Sequence, residues 1–506
     1  MSSEAMLKTF RNGESIAVRD VPEIALHDFL QRIVGLSGDG WRIAAYFGVP
    51  EREGATLWCV LSGAHGRLGV LRSWVGDRMP SITAACPEVH LFEREIAEQC
   101  GIAVDDHPWF TPVRYLRSLR RGHDAWGRAD EEELLPAVGD FYRVEGEEVH
   151  EVAVGPVHAG IIEPGHFRFQ CHGEQVFHLE IALGYQHRGV ERALAKGPHP
   201  ATMVQMETVA GDTTIGHATA HAMVREGLAG VQVPPRAEAI RAIALELERL
   251  ANHCGDLGAL AGDVGYQPTM SFCGRIRGDF LNMTALLCGS RFGRGLVRPG
   301  GTWFDCSSSQ ATELLRRLTE AERDYAGAVA LLWNTPSVLA RFEKTGQISS
   351  ATALDLGLVG PAARACGIAR DVRRDQPFGL YKLRQPPVCV EPGGDVMARA
   401  MVRWRESQVS LEFIHDTLAS LPAGEVMAAC GQGAGERLAV ALVEGWRGEI
   451  CHVAITDSRG QFLHYKVKDP SFHNWSGLAM ALRSEQISDF PLCNKSFNLS
   501  YCGFDL

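Results

Sequence analysis

The chain has 506 residues, of which 45% are hydrophobic and 22% are charged, a balance typical of a globular protein with a large core. Its formal net charge of −11 at pH 7 argues against a nucleic-acid-binding protein, which would carry a basic face. The 14 cysteines include no pair at Cys-x-x-Cys spacing, so zinc ribbons, iron–sulfur sites and thioredoxin-like redox pairs lack a sequence basis. Without an apolar signal core or a long apolar run, we expect a cytoplasmic protein with reduced thiols and no membrane span.

Residues 1–118 have the pattern of a small α/β domain. Strand-forming residues fill 41–49 and 55–63, and the turn-like segment PEREG separates them. After Pro87, the apolar residues of HLFEREIAEQCGI recur at helical spacing and predict a helix. The polar stretch 119–150, rich in Arg and Glu, is the best candidate for a linker.

Residues 151–506 predict a larger second domain. Short strands broken by Gly and Pro come first, and amphipathic helices follow, of which three are long: 234–266, 311–334 and 396–421. The segment 448–472 predicts a β-hairpin. The expected fold class is therefore α+β: a predominantly helical bundle with small β-sheets, preceded by the N-terminal α/β domain.

Two polar loop motifs are the first candidates for chemistry, GPVHAGIIEPGHF (155–167) and YQHRGVE (185–191). Gly and Pro fix tight loops, while His187, Arg188 and Glu191 offer charge and a proton-transfer group. A structural loop with a surface ion pair accounts for the same residues. The residues alone leave both interpretations open.

A resemblance adds to this pattern. From about residue 150 the chain resembles the large subunit of nickel–iron hydrogenases and the related 49-kilodalton-type subunit of respiratory complex I, in particular the group-four branch of formate hydrogenlyases and energy-converting hydrogenases. The blocks that agree in order are the two loop motifs together with ELERLANHCGDLGAL (246–260), GLVGPAARACGIARDVRRDQP (357–377), GGDVMARAMVR (393–403) and VKDPSFHNWSGL (467–478). Residues 80–101 similarly resemble the 30-kilodalton-type complex I subunit, which is fused in front of the large subunit in formate hydrogenlyases.

The resemblance also locates the segments that hold nickel in a hydrogenase, 207–218 and 489–506. Each family segment carries a Cys-x-x-Cys, but the four thiolate positions here are Ala210, Thr213, Ser500 and Gly503. Nickel needs soft thiolates to stay bound and redox-active. We therefore expect no metal and no cofactor bound by this chain, and no active nickel–iron hydrogenase.

Other features of the tail bear on the same expectation. Cys502 lies one residue out of register, and Cys493 lies farther off; rescue of the site by Cys502 is a lesser alternative. The sequence stops at Leu506, whereas a hydrogenase continues into a peptide that is clipped after nickel insertion. With its tail NKSFNLSYCGFDL, the chain resembles the energy-converting hydrogenase-related complexes, whose large subunits lack these cysteines.

A standard quinone site is not supported either. Complex I subunits carry a second quinone-binding His in the first loop motif, and here His158 matches the first His while Ile162 stands at the second. The family's quinone-binding Tyr falls within 202–224, which contains no Tyr. No Gly-rich dinucleotide fingerprint supports NADH binding by this chain.

Some functional positions of the family do survive. The resemblance implies a proton path or cavity formed by Glu191, His187, His217, Arg370, Asp371, Arg373 and Arg374. For the Arg and Asp residues of 370–374, a structural salt-bridge network is an equal alternative. His217 and His221 stand four apart and could share a metal, although without a third ligand a satisfied core or surface pair is favoured. One predicted helix carries a polar stripe, which indicates either an interface with a partner or a face exposed to solvent. The stripe comprises Glu248, Arg249, Asn252, His253 and Asp256.

The resemblance implies the large subunit of a membrane-associated oxidoreductase complex without a nickel–iron site. It would dock a small subunit carrying a 4Fe–4S cluster, together with antiporter-like membrane subunits, on the inner face of the cytoplasmic membrane. Its expected role is to couple electron transfer to proton or ion translocation. The alternative is a non-catalytic structural or assembly subunit, and an ordinary hydrogenase or NADH–quinone oxidoreductase with an unusual site ranks last.

Overall fold

The computed structural model describes residues 7–158 and 162–506. About 42% of the chain is helical and 19% forms strands in several small sheets, so the predicted α+β class is confirmed. The N-terminal elements are β1 (Lys8–Phe10), β2 (Ser15–Ala17), α1 (Leu26–Gly38), β3 (Arg42–Pro50), β4 (Ala55–Ser62), β5 (Leu68–Val75), β6 (Arg78–Pro80), α2 (His90–Cys100) and β7 (Ala103–Asp105). No helix or strand is assigned in 106–148.

The central part begins with a small sheet and continues in helices. Its elements are β8 (Val149–Val154), β9 (His166–His172), β10 (Gln175–Ala182), α3 (Val190–Leu194), α4 (Thr202–Met206), α5 (Thr214–Ala229), α6 (Pro235–Asp263), α7 (Gln267–Cys288), β11 (Val297–Arg298), β12 (Gly301–Thr302), α8 (Ser308–Trp333), α9 (Pro336–Phe342), α10 (Ser350–Asp355), α11 (Gly360–Arg364), α12 (Val372–Asp375) and α13 (Val396–Ala419).

The C-terminal part returns to strands before three short helices. Its elements are β13 (Arg437–Gly445), β14 (Gly448–Thr456), β15 (Phe462–Lys468), α14 (Ser471–Ala481), α15 (Phe490–Phe497) and α16 (Tyr501–Asp505). Short 3-10 helices lie at Val18–Asp20, Pro87–Val89, Gly379–Lys382 and Ile487–Asp489.

Local sequence explains where the long helices begin. The helix α8 begins with a capping box. The Ser307 side chain accepts from the Gln310 backbone N–H, and the Gln310 side chain accepts from the Ser307 backbone N–H. In α13 the Asp395 carboxylate accepts from the backbone N–H of Ala398. The three predicted long helices correspond to α6, α8 and α13, and β3, β4 and α2 were also predicted correctly, whereas the long helix α7 was not predicted.

Two four-stranded antiparallel sheets frame the helices. One has the order β1-β5-β4-β3 and packs against α1 and α2, and the other has the order β15-β14-β13-β2. The predicted hairpin in 448–472 is present, with Cys451 opposite Lys468 and Ala454 opposite Tyr465. Because β2 pairs with β13, the N-terminal part contributes a strand to the C-terminal sheet. The predicted divisions 1–118, 119–150 and 151–506 remain predictions.

The helix α6 runs through the middle of the large helical part. It packs against α7, α13 and α15, and nearly every residue from Ala237 to Ala261 is buried. No helix among the described residues combines the length and the apolar character needed to cross a membrane. Because α6 is buried, the polar stripe predicted on it is buried as well.

Candidate functional site

The two segments that resemble nickel-binding segments lie together. The Arg188 guanidinium donates to the backbone oxygens of Val209 and Cys502, in both cases at 2.9 Å. Arg447 makes a second bridge, since it forms a bidentate ion pair with Asp212 and also donates to the backbone oxygen of Asn498. The segment before α5 and the C-terminal tail are therefore held together by two guanidinium groups.

The hydroxyl groups at two of the four thiolate positions are already bound. Thr213 Oγ1 accepts from the Trp446 indole N–H at 3.1 Å and from the Arg447 guanidinium at 3.3 Å. Ser500 Oγ accepts from the backbone N–H of Gly503 at 2.9 Å and so caps α16. Both hydroxyls therefore serve as structural hydrogen-bonding groups.

The Asp469 carboxylate fills the space beside Gly503, the fourth of these positions. A Cβ atom placed on Gly503 would lie 2.8 Å from Asp469 Oδ2 and 2.8 Å from Ser500 Oγ. Contacts this short require the neighbours to move, and Asp469 is itself fixed by the backbone N–H of Ser471 at 2.8 Å. A cysteine side chain at 503 is thus excluded unless the local structure shifts.

The residues present do not fit a nickel–iron centre. Burial, reinforced by the charge of Glu163, raises the pKa of Cys502 to about 11, so this thiol stays protonated near neutral pH. Cys493 lies against Gly346, and burial raises its pKa to about 12. Among the described residues, no group of three or more His, Cys, Asp or Glu side chains is arranged to hold a metal ion.

Beside Gly503 begins a continuous chain of buried polar side chains. His217 Nε2 lies 3.1 Å from Asp469 Oδ2, and His217 Nδ1 lies 3.1 Å from His452 Nε2. His452 Nδ1 is 2.9 Å from the Tyr465 hydroxyl, which is 2.8 Å from His221 Nδ1. We call these five residues the Asp469 chain; each is at most 1% exposed.

Electrostatics favour an ionised Asp469 carboxylate and neutral His221 and His452 rings. Burial alone would raise the pKa of Asp469, but the hydrogen bond from His217 and the Arg447 charge hold it below its usual value. Burial lowers the pKa of His221 to about 3 and that of His452 well below its usual value. His221 Nε2 is buried without a hydrogen-bond partner among the described residues.

Glu191, a predicted site residue, lies in a different set of contacts. Its carboxylate accepts from Lys466 Nζ and the Val467 backbone N–H, both at 2.9 Å, and from Gln99 at 3.1 Å. Burial would raise its pKa, but the Lys466 and Arg114 charges lower it. In this arrangement Glu191 is an ionised carboxylate in a fixed ion pair, and its predicted role in proton transfer stays a prediction.

His187 lies next to the tail. Its Nδ1 donates to the backbone oxygen of Asp505 at 2.8 Å, and burial lowers its pKa. The Asp505 side chain accepts from the backbone N–H groups of Gly184 and Gln186 at 2.7 and 2.8 Å. Burial raises the pKa of Asp505 to about 6.

The residues of 370–374 divide between a buried network and an open cavity. Arg373 donates to Asp371 at 2.6 Å and to Glu246 at 3.1 Å. We call the buried set the Arg373 network; it comprises Arg373, Asp371, Glu246, Arg249, Arg364, Glu406 and Glu444. Arg370, Asp371 and Arg374 line a cavity of about 880 Å³. Among the described residues that line this cavity, Glu191, His187 and His217 are absent, so the predicted residues do not share one cavity.

The predicted polar stripe on α6 was interpreted wrongly. All of its residues are buried within this chain, at 0–9% exposure: Glu248, Arg249, Asn252, His253 and Asp256. They bind internal partners, as when Glu248 accepts from the backbone N–H groups of Ile215 and Gly216 at the start of α5. Neither a partner interface nor a solvated face describes them, because α6 is surrounded by other helices.

Sequence reasoning missed several residues that shape the site. Asp469, His452, Tyr465 and Arg447 come from β14, β15 and the residues that flank them. A usable signal existed, since a polar His452 stands within the buried strand β14, and Asp469 lies in the VKDPSF block. The shared metal predicted as an option for His217 and His221 has no geometric support, because the two rings bind His452 and Tyr465 instead. Of the first loop motif, residues 159–161 lie outside the described residues.

Comparisons with known proteins agree with this architecture. Residues 263–436 match the family described as "Respiratory-chain NADH dehydrogenase, 49 Kd subunit". Formate hydrogenlyase subunit 5 of Escherichia coli is 29% identical over 96% of this chain and 87% of its own length. The carbon monoxide-induced hydrogenase of Rhodospirillum rubrum is 30% identical over 69% of this chain and 97% of its own length. An NADH-quinone oxidoreductase subunit of Herpetosiphon aurantiacus is 30% identical over 67% of this chain and 94% of its own length.

The chain therefore belongs to the family of complex I 49-kilodalton subunits and group-four hydrogenase large subunits. As a member of this family, it is a subunit of a complex I-like or group-four hydrogenase-like assembly.

Proposed function

We propose that this chain is the large subunit of a membrane-associated oxidoreductase complex that works without a nickel–iron centre. It couples electron transfer from an iron–sulfur partner to the translocation of protons or another ion. The observation that carries the proposal is that a carboxylate and an ion pair lie where the two segments meet, at positions without thiolates. Asp469 lies against Gly503, and Arg447 binds Asp212 and Thr213.

The chemistry of these groups supports a role in handling protons. A thiolate cage would place soft donors around a redox metal, whereas Asp469 and the imidazole rings beyond it are proton donors and acceptors. Electrons would then arrive through a 4Fe–4S cluster in a small partner subunit, and antiporter-like membrane subunits would move the ion. The chain would lie on the inner face of the membrane as a peripheral subunit.

Metal analysis of the whole complex tests this proposal. The complex is purified through a tag on this chain, and nickel and iron are quantified together with a nickel-containing relative grown in the same medium. We expect iron from the partner subunit and nickel at background level, while the relative contains stoichiometric nickel. Stoichiometric nickel in this complex would overturn the proposal.

A second candidate function is that of a structural or assembly subunit. The fixed ion pair of Glu191 with Lys466 and the closed Arg373 network favour it, because neither leaves a free acid or base. The variant Glu191→Gln, with the exposed Glu412→Gln as control, separates the two functions. If Glu191→Gln assembles but loses redox-linked activity, the coupling role is supported; if both variants retain activity, the structural role is favoured.

A further inference from the structure

Two arrangements of the protons satisfy every hydrogen bond of the Asp469 chain with Asp469 ionised. The Tyr465 hydroxyl has one proton and lies between His452 Nδ1 and His221 Nδ1, so it uses that proton and satisfies both contacts when one ring donates to it and the other accepts from it. The contact between His217 and His452 likewise needs one donor and one acceptor. His217 Nε2 donates to the Asp469 carboxylate in both arrangements.

In the first arrangement every ring is neutral. His452 Nε2–H donates to His217, Tyr465 donates to His452, and His221 Nδ1–H donates to Tyr465. His221 Nε2 is then a buried acceptor without a partner among the described residues. In the second arrangement all three of these hydrogen bonds are reversed, so that His221 carries its proton on Nε2 and His217 is protonated on both nitrogens.

We propose that Asp469, His217, His452, Tyr465 and His221 form a proton relay between the interior near His221 and the former metal site. One proton binds to His221 Nε2, and the Nδ1 proton of His221 moves to the Tyr465 oxygen. The Tyr465 proton moves to His452 Nδ1, and the His452 Nε2 proton moves to His217 Nδ1. The balance is one proton taken up and one proton gained by the His217–Asp469 pair, and the reverse steps return it.

The geometry and the burial of the chain support this relay. All four contacts lie between 2.8 and 3.1 Å, so no transfer requires a side chain to move far. The five residues come from α5, β14, β15 and the residue after β15, all of which are well packed. Burial lowers the pKa of His221 to about 3, so a proton that binds at Nε2 is not held on that ring.

The use of this relay in ion coupling rests on the proposed function. The relay itself can be tested without measuring turnover. The full-length protein is labelled with ¹⁵N-histidine, and ring tautomers are read by NMR, with resonances assigned through single histidine variants. We expect opposite tautomers at the two rings that flank Tyr465: Nδ1–H on His221 with Nε2–H on His452, or the reverse. The same tautomer on both rings would overturn the relay.

Exchange of the buried ring protons provides the second measurement. In deuterated buffer, the His452 ring proton should exchange at least tenfold more slowly in Tyr465→Phe than in the natural protein. The control is Tyr325→Phe, a buried tyrosine whose hydroxyl contacts Ser407 at 3.3 Å and is not part of the relay; in this variant the exchange of the His452 ring proton should be unchanged. Equal exchange rates in Tyr465→Phe and the natural protein would overturn the relay. If Tyr465→Phe does not fold, His221→Gln removes the entry nitrogen and takes its place with the same expected outcome.

The two proposals fail separately. Nickel in the purified complex would refute the metal-free function and leave the tautomer result intact. Equal tautomers or equal exchange rates would refute the relay and leave the metal-free function intact.

Discussion

The two buried polar regions of this protein, the Arg373 network and the Asp469 chain, are built on opposite principles. The Arg373 network consists of full charges, and its Glu246 carboxylate accepts from Arg373, Arg249, Tyr381 and Ser410. The Asp469 chain has one carboxylate followed by imidazole and phenol groups that can each donate or accept. Fixed charges lock a structure, while groups that exchange roles can move a proton. The comparison assigns stability to the first region and proton transfer to the second.

The largest effect on stability is expected when a substitution breaks the Arg373 network. Replacing Arg373 by Leu leaves Glu246 and Asp371 buried without their shared partner, and this should cost about 3–5 kcal/mol of unfolding free energy. Chemical denaturation measures it. The matched control is the neighbouring exposed Arg374→Leu, expected to change stability by less than about 0.5 kcal/mol. Similar losses for both variants would show that the network does not depend on buried charge pairing.

The pH dependence of stability should show that the buried His221 ring is neutral in the folded protein. Since burial depresses the pKa of His221 to about 3, the unfolded chain binds a proton below pH 6.5 that the folded chain does not. Stability is therefore present above pH 6.5 and falls on acidification, by about 2 kcal/mol at pH 5 for this residue. In His221→Gln the fall between pH 7 and 5 should be smaller by that amount. If the unfolding free energies of the two proteins fell in parallel with pH, the depressed pKa of His221 would be contradicted.

A smaller effect is expected at Gly503. The change Gly503→Ala brings a methyl group within 2.8 Å of Asp469 Oδ2 and should cost about 1–3 kcal/mol through overpacking. The control is Gly431→Ala, where a Cβ would meet nothing within 4 Å. Thermal unfolding of both variants gives the comparison. An unchanged midpoint for Gly503→Ala would mean that Asp469 moves away freely and that the site still has room for a ligand.

The smallest effect is that of Tyr465→Phe on stability. Removing this hydroxyl deprives His452 and His221 of a hydrogen bond and should cost about 1–2 kcal/mol, less than the loss of Arg373. Denaturant unfolding measures this loss, with Tyr325→Phe as the reference for a buried tyrosine with one contact. A loss as large as that of Arg373→Leu would indicate that the Asp469 chain is chiefly a structural network, like the Arg373 network.

Local patterns were sufficient for part of the fold, although they did not predict α1 or α7. Apolar spacing and helix-start residues predicted α6, α8 and α13, and alternation with a turn predicted the β14–β15 hairpin. Local patterns failed for the α6 stripe. A row of Glu, Arg, Asn, His and Asp predicts a solvent-exposed face unless the surrounding helices are known. The pairing of β2 with β13, more than 400 positions along the chain, also has no local signal.

The sequence by itself determined the class of protein and the absence of thiolates, since Ala210, Thr213, Ser500 and Gly503 can be read directly in the register of the two segments. Only the tertiary structure decided which side chains surround these positions. Asp469 and His217 are separated by 252 positions, and His217 and His452 by 235, so packing of the β14–β15 hairpin on α5 brings them into contact. Hydrogen bonds between such distant residues depend on how secondary structures pack, and no periodicity within one segment encodes them.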